Sequence, residues 1–125
     1  MPITYAIDEG RRMIRTVGTG DVTPDEVASH LEELERSLSR EVQFDVLLDL
    51  GACTSLPSSE QLREVVTRLE RLGGRHRFAR CAIVARREAL FGMTRMFEVF
   101  AQDQFGETRA FRATDEAEQW LRTGA

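Results

Sequence analysis

Ile3, Tyr5 and Ile7 alternate with Thr4, Ala6 and Asp8, and a period of two predicts a half-buried strand. The stretch "DEGR" at 8–11 supplies turn chemistry, so Met13 to Val17 is expected to return as the partner of a hairpin. The period then lengthens. Val27, Leu31, Leu34 and Leu38 fall at spacings of four, three and four, one apolar stripe of a helix. Thr23, Pro24 and Glu26 mark its start, combining a capping box with a proline at the first helical position.

Between Phe44 and Leu50 five of seven residues are apolar without strict alternation. That pattern suits a strand buried on both faces, as in a parallel sheet covered by helices. A second helix is predicted from Ser58 through Leu62, Val65, Val66, Leu69 and Leu72, ending at Gly73-Gly74. "FARCAIVA" at 78–85 reads as another buried strand and 89–102 as a third helix. A short strand around Arg109 to Phe111 follows. Thr114 is placed to cap a last helix holding Ala117, Trp120 and Leu121. The order β-β-α-β-α-β-α-β-α predicts a single α/β domain over residues 1–125, with a mixed, mostly parallel sheet in two or three layers.

The third helix carries more apolar surface than one sheet face requires. At 3.6 residues per turn, Leu90, Met93, Phe97, Phe100 and Ala101 share a face, and Met96 and Val99 widen it. Phe91 falls away from that face, and Thr94, Arg95, Glu98 and Gln102 form a polar stripe. The apolar arc spans roughly 200°, against the ~100° of an ordinary amphipathic helix. The excess predicts neighbouring helices, an apolar cavity or a subunit interface. Phe91, Met93, Met96, Phe97 and Phe100 are the candidate residues for a ligand or a homodimer contact.

Composition narrows the function more than the fold. All 17 basic residues are arginine, which removes any lysine nucleophile or Schiff-base chemistry. A net charge of −4 argues against nucleic acid as a partner. Seven arginines nevertheless stand between Arg68 and Arg87 with one acid, Glu70, predicting a solvated basic edge that splits between the two ends of a strand. No basic leader precedes an apolar core and no apolar run reaches the ~20 residues of a membrane span. A cytoplasmic protein without stable membrane anchoring is the expectation. Cys53 and Cys81 are too few for a disulfide framework. Cys53 reads as a small buried thiol near a loop, Cys81 as core. His30, on the flank of the first helix, and His76 have no Cys, Asp or Glu at metal-ligand spacing, so neither a metal nor another cofactor is implied. Phosphate-binding and hydrolase motifs are absent from the sequence, and an enzyme is not expected.

Ligands of open α/β sheets sit beyond the carboxyl ends of the parallel strands. Here that rim is "GACTSLPSS" after one buried strand and "RREALFG" after the next. If the two strands are neighbours, Thr54, Ser55, Ser58 and Ser59 face Arg86 and Arg87 beside two helix N-termini, a constellation suited to an anion or a protein partner. Ser58 with Gln61 also makes a capping box unaided, so the serine has both a mechanical and a regulatory reading.

The element order, the strand "FDVLLDL" and the stretch "AIVARREALFGMTRMFEVF" resemble the SpoIIAA-like, or STAS-like, bacterial proteins, which share the fold of the sporulation anti-sigma-factor antagonist and, more loosely, of CRAL-TRIO lipid-transfer domains. The positions matching that helix are Phe91, Gly92, Arg95, Met96 and Phe97. In phosphorylatable antagonists a D-S-S-G-like turn carries the target serine. The matching turn here reads "PSSE", which puts Ser58 at the target position, with Pro57 for the aspartate and Glu60 for the glycine. The resemblance implies a non-enzymatic regulatory module working through an as yet unidentified protein partner. Its alternative is a carrier or sensor of a small apolar or lipid-like ligand, with the rim arginines taking an anionic head.

Overall fold

A computed structural model describes residues 2–38, 42–74 and 77–124. Five strands form one sheet: β1 (Ile3–Asp8), β2 (Met13–Gly20), β3 (Phe44–Cys53), β4 (Phe78–Val84) and β5 (Glu107–Phe111). Four helices accompany them: α1 (Pro24–Ser37), α2 (Ser59–Arg71), α3 (Glu88–Phe100) and α4 (Thr114–Thr123). The strands lie in chain order. β1 pairs antiparallel with β2, and β2 to β5 are parallel. Each crossover therefore steps to the next strand in the same direction, and right-handed connections bring α1, α2 and α3 to one face. α4 leaves the last strand and covers the opposite face.

Alternation within the strands sorts the core into two sides. Ile14, Phe44, Cys81 and Ile83 pack with Leu31, Leu34, Leu69 and Phe97 under the three helices. Leu47, Ala82 and Val84 point the other way, against Ala117 and Trp120 of α4. The double burial predicted for β3 and β4 follows from this.

The predicted caps at α1 and α2 are both present as full capping boxes, Thr23 with Glu26 and Ser58 with Gln61. Helix α2 ends at Arg71 with Leu72 as its C-cap, and Gly73 and Gly74 take positive φ values of 115° and 50°, the left-handed region that favours glycine. The fourth helix departs from expectation: Thr114 is already helical, and the cap is Ala113, whose methyl group makes no capping hydrogen bond. Arg77 departs too. It is buried rather than part of a solvated edge, and its guanidinium donates to the carbonyls of Leu72 and Leu38. His76 lies outside the described residues. Among those described, no helix is long and apolar enough to cross a membrane.

Candidate functional site

The rim forms where the sequence puts it, because β3 and β4 are neighbours. β3 runs three residues further than its apolar core, to Cys53, and the loop beyond it is tied down at several points. Thr54 N–H donates to the Gly20 carbonyl (2.8 Å). Arg87 Nη1 donates to the Thr54 carbonyl (2.7 Å) and reaches the Cys53 carbonyl (3.5 Å). Ser55 Oγ accepts from Val22 N–H (3.0 Å) and is turned inward. Ser58 Oγ accepts from Gln61 N–H (3.1 Å), and Gln61 Oε1 accepts from Ser58 N–H (2.8 Å).

What remains open to solvent on this loop is Thr54, Ser58, Ser59 and Leu56, whose side chain is 48% exposed. Arg86 is also exposed and lies across Gly51, filling the space that a β-carbon there would occupy. The rim thus brings Arg87 onto the serine loop as a structural tie. Arg86 instead lies beside Gly51 and Asp49.

Beneath the rim, between the sheet and the three-helix layer, lies a cavity of about 500 Å³. Its walls include Val27 of α1, Val46 and Leu48 of β3, Val65 of α2 and Met93 and Phe97 of α3. The exposed Asp21, Leu56 and Glu64 stand on its solvent side. Of the five candidates on α3, Met93 and Phe97 line this space and the others do not. Phe91 packs beside Cys53, Ala85 and Leu90 with the Arg112 guanidinium 4.2 Å above its ring. Phe100 is covered by Arg63 at 4.7 Å. Met96 and Val99 face solvent, Val99 at 63% exposure, rather than widening the buried face.

The polar stripe predicted on α3 is also corrected at one position. Thr94 is 4% exposed and lines the cavity. Its hydroxyl donates to the Phe91 carbonyl at 2.6 Å, which satisfies it locally and lets it sit on an apolar wall.

The residues that pattern reading missed are Thr16 and His30. His30 is turned inward from α1 rather than held on its flank. Its ring meets Tyr5 edge-on at 5.1 Å between centroids, and its Nε2 lies 3.4 Å from Thr16 Oγ1. The other nitrogen, Nδ1, is buried without a partner. Burial lowers the ring's pKa, with Glu33 opposing the shift. Part of the signal was present in the sequence: at ~100° per residue His30 falls about 40° beyond Leu34, at the edge of the apolar stripe, and Thr16 shares the inward side of β2 with Ile14.

Cys53 and Cys81 are both buried and unpaired, and burial pushes the Cys81 thiol upward. Among the described residues no group of three His, Cys, Asp or Glu side chains is placed to hold a metal.

The sequence model of the SpoIIAA-like family matches residues 13–122. A protein of SpoIIAA-like fold from Shewanella loihica PV-4 superposes with a TM-score of 0.69 at 22% identity, over 95% of this chain and 93% of that one. An anti-sigma factor antagonist from Mycobacterium paratuberculosis superposes with a TM-score of 0.61 at 16% identity, over 96% and 94%. No functionally curated protein is similar enough to match.

Proposed function

The chain belongs to the SpoIIAA-like family, and from that premise we propose that it is a non-enzymatic regulatory module that binds a protein partner through the loop between β3 and α2. The observation carrying this reading is the contrast within that loop. Its backbone is anchored by Arg87, Gly20 and the Ser58–Gln61 capping box, while Thr54, Leu56, Ser58 and Ser59 stay exposed. A pre-ordered loop with an exposed apolar residue among hydroxyls loses little entropy on docking. Fold kinship with an anti-sigma factor antagonist supports a protein as the partner. Ser58 has a capping role in any case, and its exposed hydroxyl at the position of the family's target serine keeps phosphorylation within this reading.

The test is capture from the native host on immobilised wild type, Arg86→Ala/Arg87→Ala, Leu56→Asp and Val99→Asp. One partner retained by wild type and Val99→Asp, and lost from Leu56→Asp, is the expected result. Equal capture by wild type and Leu56→Asp overturns the loop as the interface. Unchanged capture by the double arginine variant removes those two side chains from it.

The cavity favours a second reading, carriage or sensing of a small apolar ligand. About 500 Å³ lies within the ~300–1,000 Å³ of small-molecule sites. Arg86 and Arg87 do not line it, so the anionic head assigned to them has no support there. Native mass spectrometry of untagged, detergent-free protein is expected to carry a bound organic mass. Bare protein that also takes up no apolar probe overturns this reading.

A further inference from the structure

We infer that the cavity selects an uncharged molecule, an apolar body bearing one hydroxyl or carbonyl that docks at the Thr16–His30 pair, and turns away carboxylates and phosphates. The inference rests on the carrier reading and adds the class of ligand.

The wall offers an anion a single guanidinium, and an acid already stands beside it. Among the described lining residues Arg68 is the one arginine, and its Nη2 lies 3.9 Å from Glu64 on the same helix. Asp21 and Glu64 stand on the solvent side, where they repel an approaching carboxylate. An unpaired charge moved into an apolar cavity loses its hydration without replacement, whereas a hydroxyl needs only one or two hydrogen bonds.

Most polar groups on the wall are already satisfied. Ser55 accepts from Val22 N–H, Thr94 donates to the Phe91 carbonyl, and Gln61 is held in its capping box. Thr16 and His30 differ. Their 3.4 Å separation is long for a hydrogen bond, and His30 Nδ1 has no partner. Both residues line the cavity, and burial lowers the ring's pKa below its ordinary value.

The unused capacity does not depend on the tautomer. With the proton on Nε2, the ring donates to Thr16, leaving the threonine hydroxyl to donate and Nδ1 to accept. With the proton on Nδ1, that N–H donates, and the Thr16 oxygen accepts while its own proton goes to Nε2. Either way Thr16 keeps one unused role, donor in the first tautomer and acceptor in the second, while Nδ1 itself is buried; a hydroxyl matches both roles and a carbonyl the first.

The test uses the whole chain at pH 8 and N-phenyl-1-naphthylamine, an uncharged dye whose emission rises in apolar surroundings. Bound dye is then displaced with 1-decanol or with decanoate, which share a chain length and differ in charge. Decanol is expected to compete at least roughly 100-fold better than decanoate. Thr16→Val, close to isosteric, is expected to weaken decanol about tenfold, the worth of one hydrogen bond, with the displacement referred to the dye affinity measured for that variant. Equal competition by the two chains overturns the selectivity while the carrier reading stands. Full decanol affinity in Thr16→Val overturns the docking position. Failure of wild type to bind the dye overturns the carrier reading, and this inference with it.

Discussion

Replacing His30 with glutamine changes how the protein responds to acid, and the size of the change can be worked from its surroundings. His30 is packed against Tyr5 and beside Thr16, with burial lowering its pKa below the ordinary 6.5. A histidine held neutral in the folded state takes up its proton more readily once the chain unfolds. The unfolded state therefore binds more protons at acid pH, and stability is lost as pH falls through about 6.5. At pH 7.5 the contribution is close to zero. At pH 5.5 the unfolded histidine is about nine-tenths protonated, and the resulting loss is bounded at about 1.4 kcal/mol, the limit for a ring that stays neutral in the fold. The opposing charge of Glu33 keeps the true value below that bound. Urea denaturation at the two pH values reads the effect directly. Asp45, whose pKa burial raises, is common to both proteins and cancels in the comparison. Wild type is expected to lose more stability than His30→Gln between pH 7.5 and 5.5, by up to about 1.4 kcal/mol. Equal losses would show that burial does not hold the ring neutral, and the uncharged wall at Thr16 would lose its basis.

Three further outcomes are expected. Ser58→Ala empties the α2 capping box and should lower stability by about 1 kcal/mol in urea, while Ser58→Asp keeps a cap and should restore most of it; equal stability of all three proteins would remove the mechanical role. Gly106→Ala places a β-carbon 2.7 Å from the Ala79 carbonyl oxygen, a backbone atom that cannot swing aside, and should cost about 2 kcal/mol. Gly92→Ala, in open space on α3, should instead stabilise by roughly 0.5–1 kcal/mol, and thermal melts that fail to move in opposite directions would refute the packing at Gly106. The exposed apolar part of α3 is reduced to Met96 and Val99, far short of the ~1,200 Å² of a specific interface. Sedimentation is thus expected to give a monomer, and a dimer abolished by Val99→Asp would restore α3 as a subunit interface.

Much of the architecture was legible because each element carries its own period and its own stop signals. Thr23-Pro24 and Ser58 fixed two helix starts to the residue, and Gly73-Gly74 fixed an end. Continuous apolar runs at β3 and β4 revealed central parallel strands. The misses share a cause, which is that a side chain can satisfy itself locally or through the tertiary structure. Thr94 looks polar, yet its hydroxyl bonds the carbonyl three residues back and the residue is buried. Arg77 looks solvated, yet two carbonyls from separate segments take up its guanidinium. Thr114 has the chemistry of a cap, but the chain enters the helix one residue earlier.

The rim and the cavity differ in the same way. A rim is a property of chain order: once β3 and β4 are neighbours, their carboxyl ends and following loops must meet, and Arg87 can reach Thr54. A cavity is a deficit of volume, and apolar periodicity does not measure volume. The facing walls here use small side chains at positions where larger ones would fill the gap: Thr16 and Gly18 on β2, Val27 and Ala28 on α1, Val46 on β3 and Val65 on α2. Each is unremarkable alone, and each satisfies the same inward pattern as a leucine would. Their convergence requires the register of β2 against β3 and the layering of both helices on one face. Protein interiors ordinarily pack to a density at which voids larger than a water are few. A space of about 500 Å³, bordered by a polar pair with hydrogen-bonding capacity left over, is therefore the observation on which the proposed carrier reading stands.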